Sequence, residues 1–282
     1  MTPTNTSENT LLKRFGYPLK LFERFPLLPQ VVLLMISTVV RIYHLGYKSL
    51  WFDEAVLYWI SQGSIVEVIK QNAAVNSAPP LYPLLINAVS LLGSGEALLR
   101  SISFVAGILG VLAFYHFAQS LVSKNAAFLT SFILSVALFH VEYSQELREY
   151  SLAFLLSILL VHAYQRFMVS PGRNRTVILV AVSILSVFTQ YGLVIVLFAL
   201  NLHFVIEFLR STARTNLLAK WIVIQSAAML SVVVVYLTAL RFQFTNTGFA
   251  HVEQGYWRGG ITGVPSFLYR QTYDILLYFF RD

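Results

Sequence analysis

Two stretches gather ionisable side chains in a chain that otherwise has few of them. Leu50-Trp51-Phe52-Asp53-Glu54-Ala55 sets two carboxylates side by side among aromatic residues. Glu142-Tyr143-Ser144-Gln145-Glu146-Leu147-Arg148-Glu149-Tyr150 holds three glutamates and an arginine in nine residues. A carboxylate can take the proton of an attacking hydroxyl as a general base. An arginine can hold a phosphate through two parallel hydrogen bonds. Both stretches also have quieter readings. Asp53 can cap a short helix running to about Ser61, with Glu54 favourable in its first turn. The second stretch can be a solvated turn with a local Glu–Arg pair.

The elements that must position these residues are apolar. Of 282 residues, 57% are hydrophobic and only 12% charged, against about 25% charged in soluble domains; the mean hydropathy is +0.67. So few charges cannot cover a soluble globule of this size, which excludes a water-soluble enzyme and a disordered chain. There is no cysteine, hence no disulfide framework and no thiolate chemistry. The net charge of +7 would suggest nucleic acid in a soluble protein. Here the basic residues lie between apolar segments, which reads as membrane topology with no nucleic-acid partner.

A spanning helix needs ~20 mostly apolar residues. Residues 1–26 form a polar, net-basic arm and 27–45 the first apolar run, read as a retained anchor. Further runs lie near 100–122, 125–141, 150–167, 176–208, 221–240 and 265–280. The 176–208 run is too long for one span and is broken by Thr189-Gln190-Tyr191-Gly192, which predicts a hairpin of two. The count is eight spans with both termini inside: an all-α integral membrane bundle with interfacial helices in its first outer loop, 46–99, followed by the remaining bundle over 100–282.

The segment Pro79–Gly93 is apolar but short. If it stays in the interface, Lys124, Arg166, Arg173, Arg175, Arg210, Arg214 and Lys220 all face the cytoplasm, and Arg100 and Arg148 face out, as the positive-inside rule favours. The 46–99 loop, the 142–149 turn, the Thr189–Gly192 tip and the 241–264 loop then share the outer face. Trp51, Phe52, Tyr58 and Trp59 read as an aromatic belt. Ser64 with Glu67 reads as a capping box opening a helix over 65–71, which makes Glu67 and Lys70 structural. His44 and His140, near span ends, read as packing or interface residues.

These pieces in this order resemble the GT-C membrane glycosyltransferases, in the branch of protein O-mannosyltransferases and lipid A aminoarabinose transferases. The resemblance covers about residues 27–210. It rests on Ser49–Ala55, Ala78-Pro79-Pro80-Leu81-Tyr82, Leu98-Leu99-Arg100 and Tyr143–Tyr150, with Thr189-Gln190-Tyr191 at a hairpin tip. It implies transfer of a sugar from a polyprenyl-phosphate donor to a hydroxyl acceptor on the extracytoplasmic face, with inversion; with no organelle-targeting signal read in the sequence, the expected location is a bacterial inner membrane. Asp53 corresponds to the catalytic base, with Glu54 the adjacent alternative. Arg148 would bind the departing phosphate. Glu146 falls at the second acidic position, where it would position the acceptor or share a divalent metal ion with Asp53. Gln145, Tyr143, Arg100, Pro80 and Tyr82 complete the implied donor- and substrate-binding set.

Two departures stand out. Glu149 replaces the family's usual proline, and relatives are usually longer, which raises a truncated or split gene. The competing expectations are a transporter or flippase of a lipid-linked substrate, and a non-catalytic membrane subunit.

Overall fold

The computed structural model describes residues 24–210 and 215–243. Most of the basic arm, the outer segment 244–264 and the apolar run 265–280 lie outside the described residues, as does Arg214. Among the described residues every regular element is helical.

The first apolar helix, α1 (Leu28–Ile42), is opened by Pro29 in its first turn, where proline's missing N–H is not needed. Four short elements follow: α2 (Phe52–Ile60), α3 (Ile65–Val75), α4 (Leu81–Ser90) and α5 (Glu96–Leu99). α3 opens on the reciprocal cap its sequence predicts. Glu67 N–H donates to Ser64 Oγ at 3.4 Å, and Ser64 N–H donates to Glu67 Oε2 at 2.7 Å. The helix runs four residues beyond the predicted end at 71. α4 has 10 residues, about 15 Å of helix, half of a ~30 Å hydrocarbon core. It packs against α2 and α3. Gly93, at φ +152, ends it in backbone that side chains rarely adopt.

The rest is a bundle: α6 (Ser101–Ala118), α7 (Lys124–Val136), α8 (Leu138–Ser144), α9 (Tyr150–Val169), α10 (Arg173–Thr189), α11 (Leu193–Leu209) and α12 (Thr215–Val235). α12 continues through a π-helical turn, Tyr236–Leu240, to Gln243. The 176–208 run is two helices with a tip at 190–192, as its length requires.

Among the described residues three helices are long and apolar enough to cross a membrane: Ser101–Ala118, Tyr150–Val169 and Leu217–Gln243. α7 and α8 add a fourth if the bent pair counts as one span. The pair bends by 60°, so the apolar run expected at 125–141 is broken within its length. α1 and α11, with 15 and 17 residues, are apolar but short. The described residues are therefore all-helical, with three to four candidate spans among them; the eight counted from the sequence include the 265–280 run, which lies outside the described residues. The outward faces carry Met35, Val39, Leu129, Ile133, Phe198 and Met229, all exposed, as lipid contact requires.

Two cores hold it. Leu160, Phe167, Leu179, Phe204, Trp221 and Ile224 fill the space among α9, α10, α11 and α12. Leu57, Ile60, Tyr82, Ile86, Leu99 and Leu147 join the short helices to the turn before α9. The second core lies directly beneath the candidate site.

Candidate functional site

The fold brings the two ionisable stretches together, although 95 residues separate Asp53 from Arg148. Asp53 does not cap α2. The cap position is Trp51, whose N–H donates to Glu54 Oε2 at 3.2 Å. Asp53 and Glu54 both stand in the first turn, where a negative charge is favourable. Successive helical residues point about 100° apart, and here they reach opposite environments.

Glu54 turns inward and is fully buried. Its carboxylate takes Arg100 Nε at 2.9 Å and Nη2 at 2.7 Å, a bidentate pair. It also accepts the Leu147 N–H at 2.6 Å. Arg100 spends its other donors on the carbonyls of Leu45, Lys48 and Ser49. The pair therefore clamps three segments: the exit from α1, the start of α2 and the turn before α9. Neither side chain has a free edge for a substrate. Geometry thus makes Glu54 and Arg100 positioning residues, in contrast to the base and donor-binding roles expected for them.

Asp53 turns outward, with 43% of its side chain exposed. It lines a cleft of about 260 Å³ with Phe52, Val56, Ile60, Asn76, Ser77 and Arg148. Arg148 Nη1 donates to Asp53 Oδ2 at 3.4 Å. Arg148 Nη2 donates to the Tyr150 hydroxyl at 3.1 Å, and the guanidinium carbon sits 5.3 Å from that ring's centre. Glu149 Oε2 lies 3.8 Å from Arg148 Nε. Nε itself is buried and has no hydrogen-bond partner.

The main chain under Arg148 is fixed by a relay. Ser103 Oγ donates to the Arg148 carbonyl at 2.8 Å, which leaves the Tyr82 hydroxyl to donate to Ser103 at 2.6 Å. Both hydroxyl residues are buried. Pro79 and Pro80 are buried at the entry to α4, which aims Tyr82 at Ser103. Tyr82 and Pro80 therefore support the cleft from behind rather than line it.

The other expected residues divide similarly. The Gln145 amide donates to the carbonyls of Arg41 and Tyr43 at 2.9 and 2.6 Å. It closes the end of α1 and does not face the cleft. Tyr143 packs edge-to-face on Tyr150, centroids 5.0 Å apart. Glu146 is half-buried, and burial together with the Glu54 charge raises its carboxyl above the usual range. Burial also raises the Glu149 carboxyl, with Arg148 opposing in part. Among the described residues no group of three or more His, Asp or Glu is placed to hold a metal ion together.

Sequence reasoning missed Arg41, which lies fully buried at the end of α1. Its guanidinium donates to Ser144 Oγ at 3.1 Å, to the Ser135 carbonyl at 2.9 Å and to the Ser37 carbonyl at 3.2 Å, and it meets His140 Nδ1. The Ser135 carbonyl lies in the last turn of α7, just before the break to α8. Arg41 thus holds the bent pair, and with it the 145–149 turn. An arginine inside the 27–45 apolar run was the available signal, because ionisable residues in such runs are costly. Gln243 was also missed. Buried at the end of α12, it donates to the Ala78 carbonyl at 3.1 Å and accepts from the Tyr191 hydroxyl at 2.7 Å. It ties the hairpin tip to the short helices at the same end of the bundle as the cleft.

This fold and cleft define an all-helical protein with helices able to cross a membrane and an Asp–Arg pair at one end. No protein-family model, no curated protein and no solved structure matches the chain.

Proposed function

We propose that the chain is a GT-C type membrane glycosyltransferase. It moves a sugar from a polyprenyl-phosphate donor to a hydroxyl of a protein, lipid or glycan on the extracytoplasmic face. The single observation that carries this reading is the exposed Asp53 carboxylate beside Arg148 in the cleft. In the reaction the acceptor oxygen bonds to the anomeric carbon from the face opposite the phosphate. The bond from that carbon to the phosphate oxygen breaks, and its electron pair leaves with the polyprenyl phosphate. The acceptor proton passes to Asp53. Arg148 offsets the charge that develops on the phosphate. Asn76 and Ser77, opposite on the cleft wall, offer neutral hydrogen bonds to sugar hydroxyls. The proposal includes eight spans, counting α1, α10, α11 and the 265–280 run, a bacterial inner-membrane location and the cleft on the outer face.

The test is to incubate membranes containing the protein with labelled polyprenyl-phosphate sugars and identify the product. Label transferred to an acceptor supports the reading; donors left intact across several sugars count against it.

A second reading, a transporter or flippase of a lipid-linked substrate, is favoured by the helix broken at Ala137 and by Arg41 buried beside it. Broken helices and buried ionisable residues are common in transporters. It predicts movement of an intact lipid-linked sugar across a vesicle membrane without loss of the sugar.

A further inference from the structure

The Arg148 guanidinium stands between two anions, one present and one expected. Its contact to Asp53, at 3.4 Å, is long for a charge-assisted bond, which is commonly about 2.7–2.9 Å. One edge, Nε, is buried with no hydrogen-bond partner. The fork is thus loosely held on the Asp53 side, and on the Nε side it has the Glu149 carboxylate at 3.8 Å, beyond hydrogen-bond distance. The charged and titratable groups around the pair are few. Glu149 and Tyr150 face Arg148 from the start of α9, and Glu146 lies in the same turn. Glu54 and Arg100 lie beneath, neutralising each other. From α3 and the segment after it the cleft receives only Val75, Asn76 and Ser77, and α4 carries no charge.

Building on the proposed function, we propose that Asp53 and the ligand's phosphate compete for the Arg148 guanidinium. In the empty protein Asp53 occupies the fork. A phosphodiester that binds takes both edges of the fork, the planar arrangement arginine prefers, and so displaces Asp53. Only then is the Asp53 carboxylate unpaired and free to face the acceptor hydroxyl. The empty site thus holds its own base inactive, and the donor must bind before the acceptor reacts.

The competition makes an unusual prediction: removing the catalytic carboxylate improves donor binding. The experiment titrates citronellyl methyl phosphate, a short isoprenoid phosphodiester with one fixed negative charge, into the full chain in phosphatidylcholine nanodiscs at neutral pH. Asp53→Asn and Asp53→Ala should both bind it on the order of five-fold more tightly than the wild type, the scale of one charge interaction in a partly exposed site. Arg148→Ala should bind about ten-fold more weakly or worse. In the Arg148→Ala background the gain from Asp53→Asn should shrink toward none. The proposal is overturned if the Asp53 variants bind no better than wild type, if none of the proteins binds the phosphodiester, or if the Asp53→Asn gain persists without Arg148. The last result would assign the gain to plain repulsion instead of a shared fork. Binding as predicted without any sugar transfer would sink the enzyme reading and leave the competition standing.

Discussion

At the scale of single residues, two adjacent carboxylates do opposite work. Glu54 is buried in a bidentate pair with Arg100 and accepts two backbone N–H groups. Removing one partner of a buried ion pair typically costs about 3–5 kcal/mol, because the other charge is left stranded. Glu54→Gln should therefore lower the amount of folded protein in membranes and its Tm. Replacing Arg100 by Met in the same chain should recover part of the loss; equal folded yield of wild type and Glu54→Gln would contradict the clamp. Glu149 yields a pH-dependent expectation. Burial holds its carboxyl above the usual value, so the folded protein binds that proton more tightly than the unfolded chain. The carboxyl then destabilises the fold once pH rises past the unfolded value of about 4.3 and through the folded one. Glu149→Gln should raise Tm by about 2 °C at pH 7 and give no gain near pH 4, where the wild-type side chain is already protonated. That Asp53 and Glu54 could not both face a cleft was legible from helix geometry. Which of them did so was not, because it depends on Arg100 and Leu147, both far along the chain.

At the scale of elements, local signals carried well and long-range ones did not. The Ser64–Glu67 cap and the Thr189–Gly192 interruption are written within a few residues, and both appear in the helices. The break between α7 and α8 has no proline or glycine to announce it. It is held by Arg41, about a hundred residues away in sequence, and by Gly107 on α6. A Cβ on Gly107 would lie 2.1 Å from Ser144 Oγ and 3.1 Å from Arg41 Nε. Gly107→Ala should therefore destabilise by about 1–3 kcal/mol, the usual range for overpacking, seen as a lower Tm in detergent. An unchanged Tm would mean that α8 does not approach α6 as closely as described. The shortness of helices such as α4 was legible in the sequence. Their packing around Tyr82 and Ser103 was not, since no pattern links Ser103 to the carbonyl of Arg148.

At the scale of the whole molecule, charge and length carry the topology, and the cleft lies at one end because the alternating helices return there. Gln243, Tyr191 and Ala78 are joined at that end, as are Asp53 and Arg148. The predicted orientation is tested by cysteines introduced at exposed positions of this cysteine-free chain. Ser94→Cys and Glu142→Cys should react with an impermeant thiol reagent added outside intact cells, whereas Ser123→Cys and Asn174→Cys should react only after lysis. Labelling of Ser123→Cys from outside would invert the arrangement. The central claim, that Asp53 is the base of a sugar transfer, is tested most directly by transfer from a labelled polyprenyl-phosphate sugar in membranes containing equal amounts of wild type and Asp53→Asn. Loss of a general base typically lowers rate by ~10²–10⁴-fold. The account predicts loss of that size for Asp53→Asn, with folded yield and membrane insertion unchanged; transfer by Asp53→Asn at near wild-type rate would contradict it.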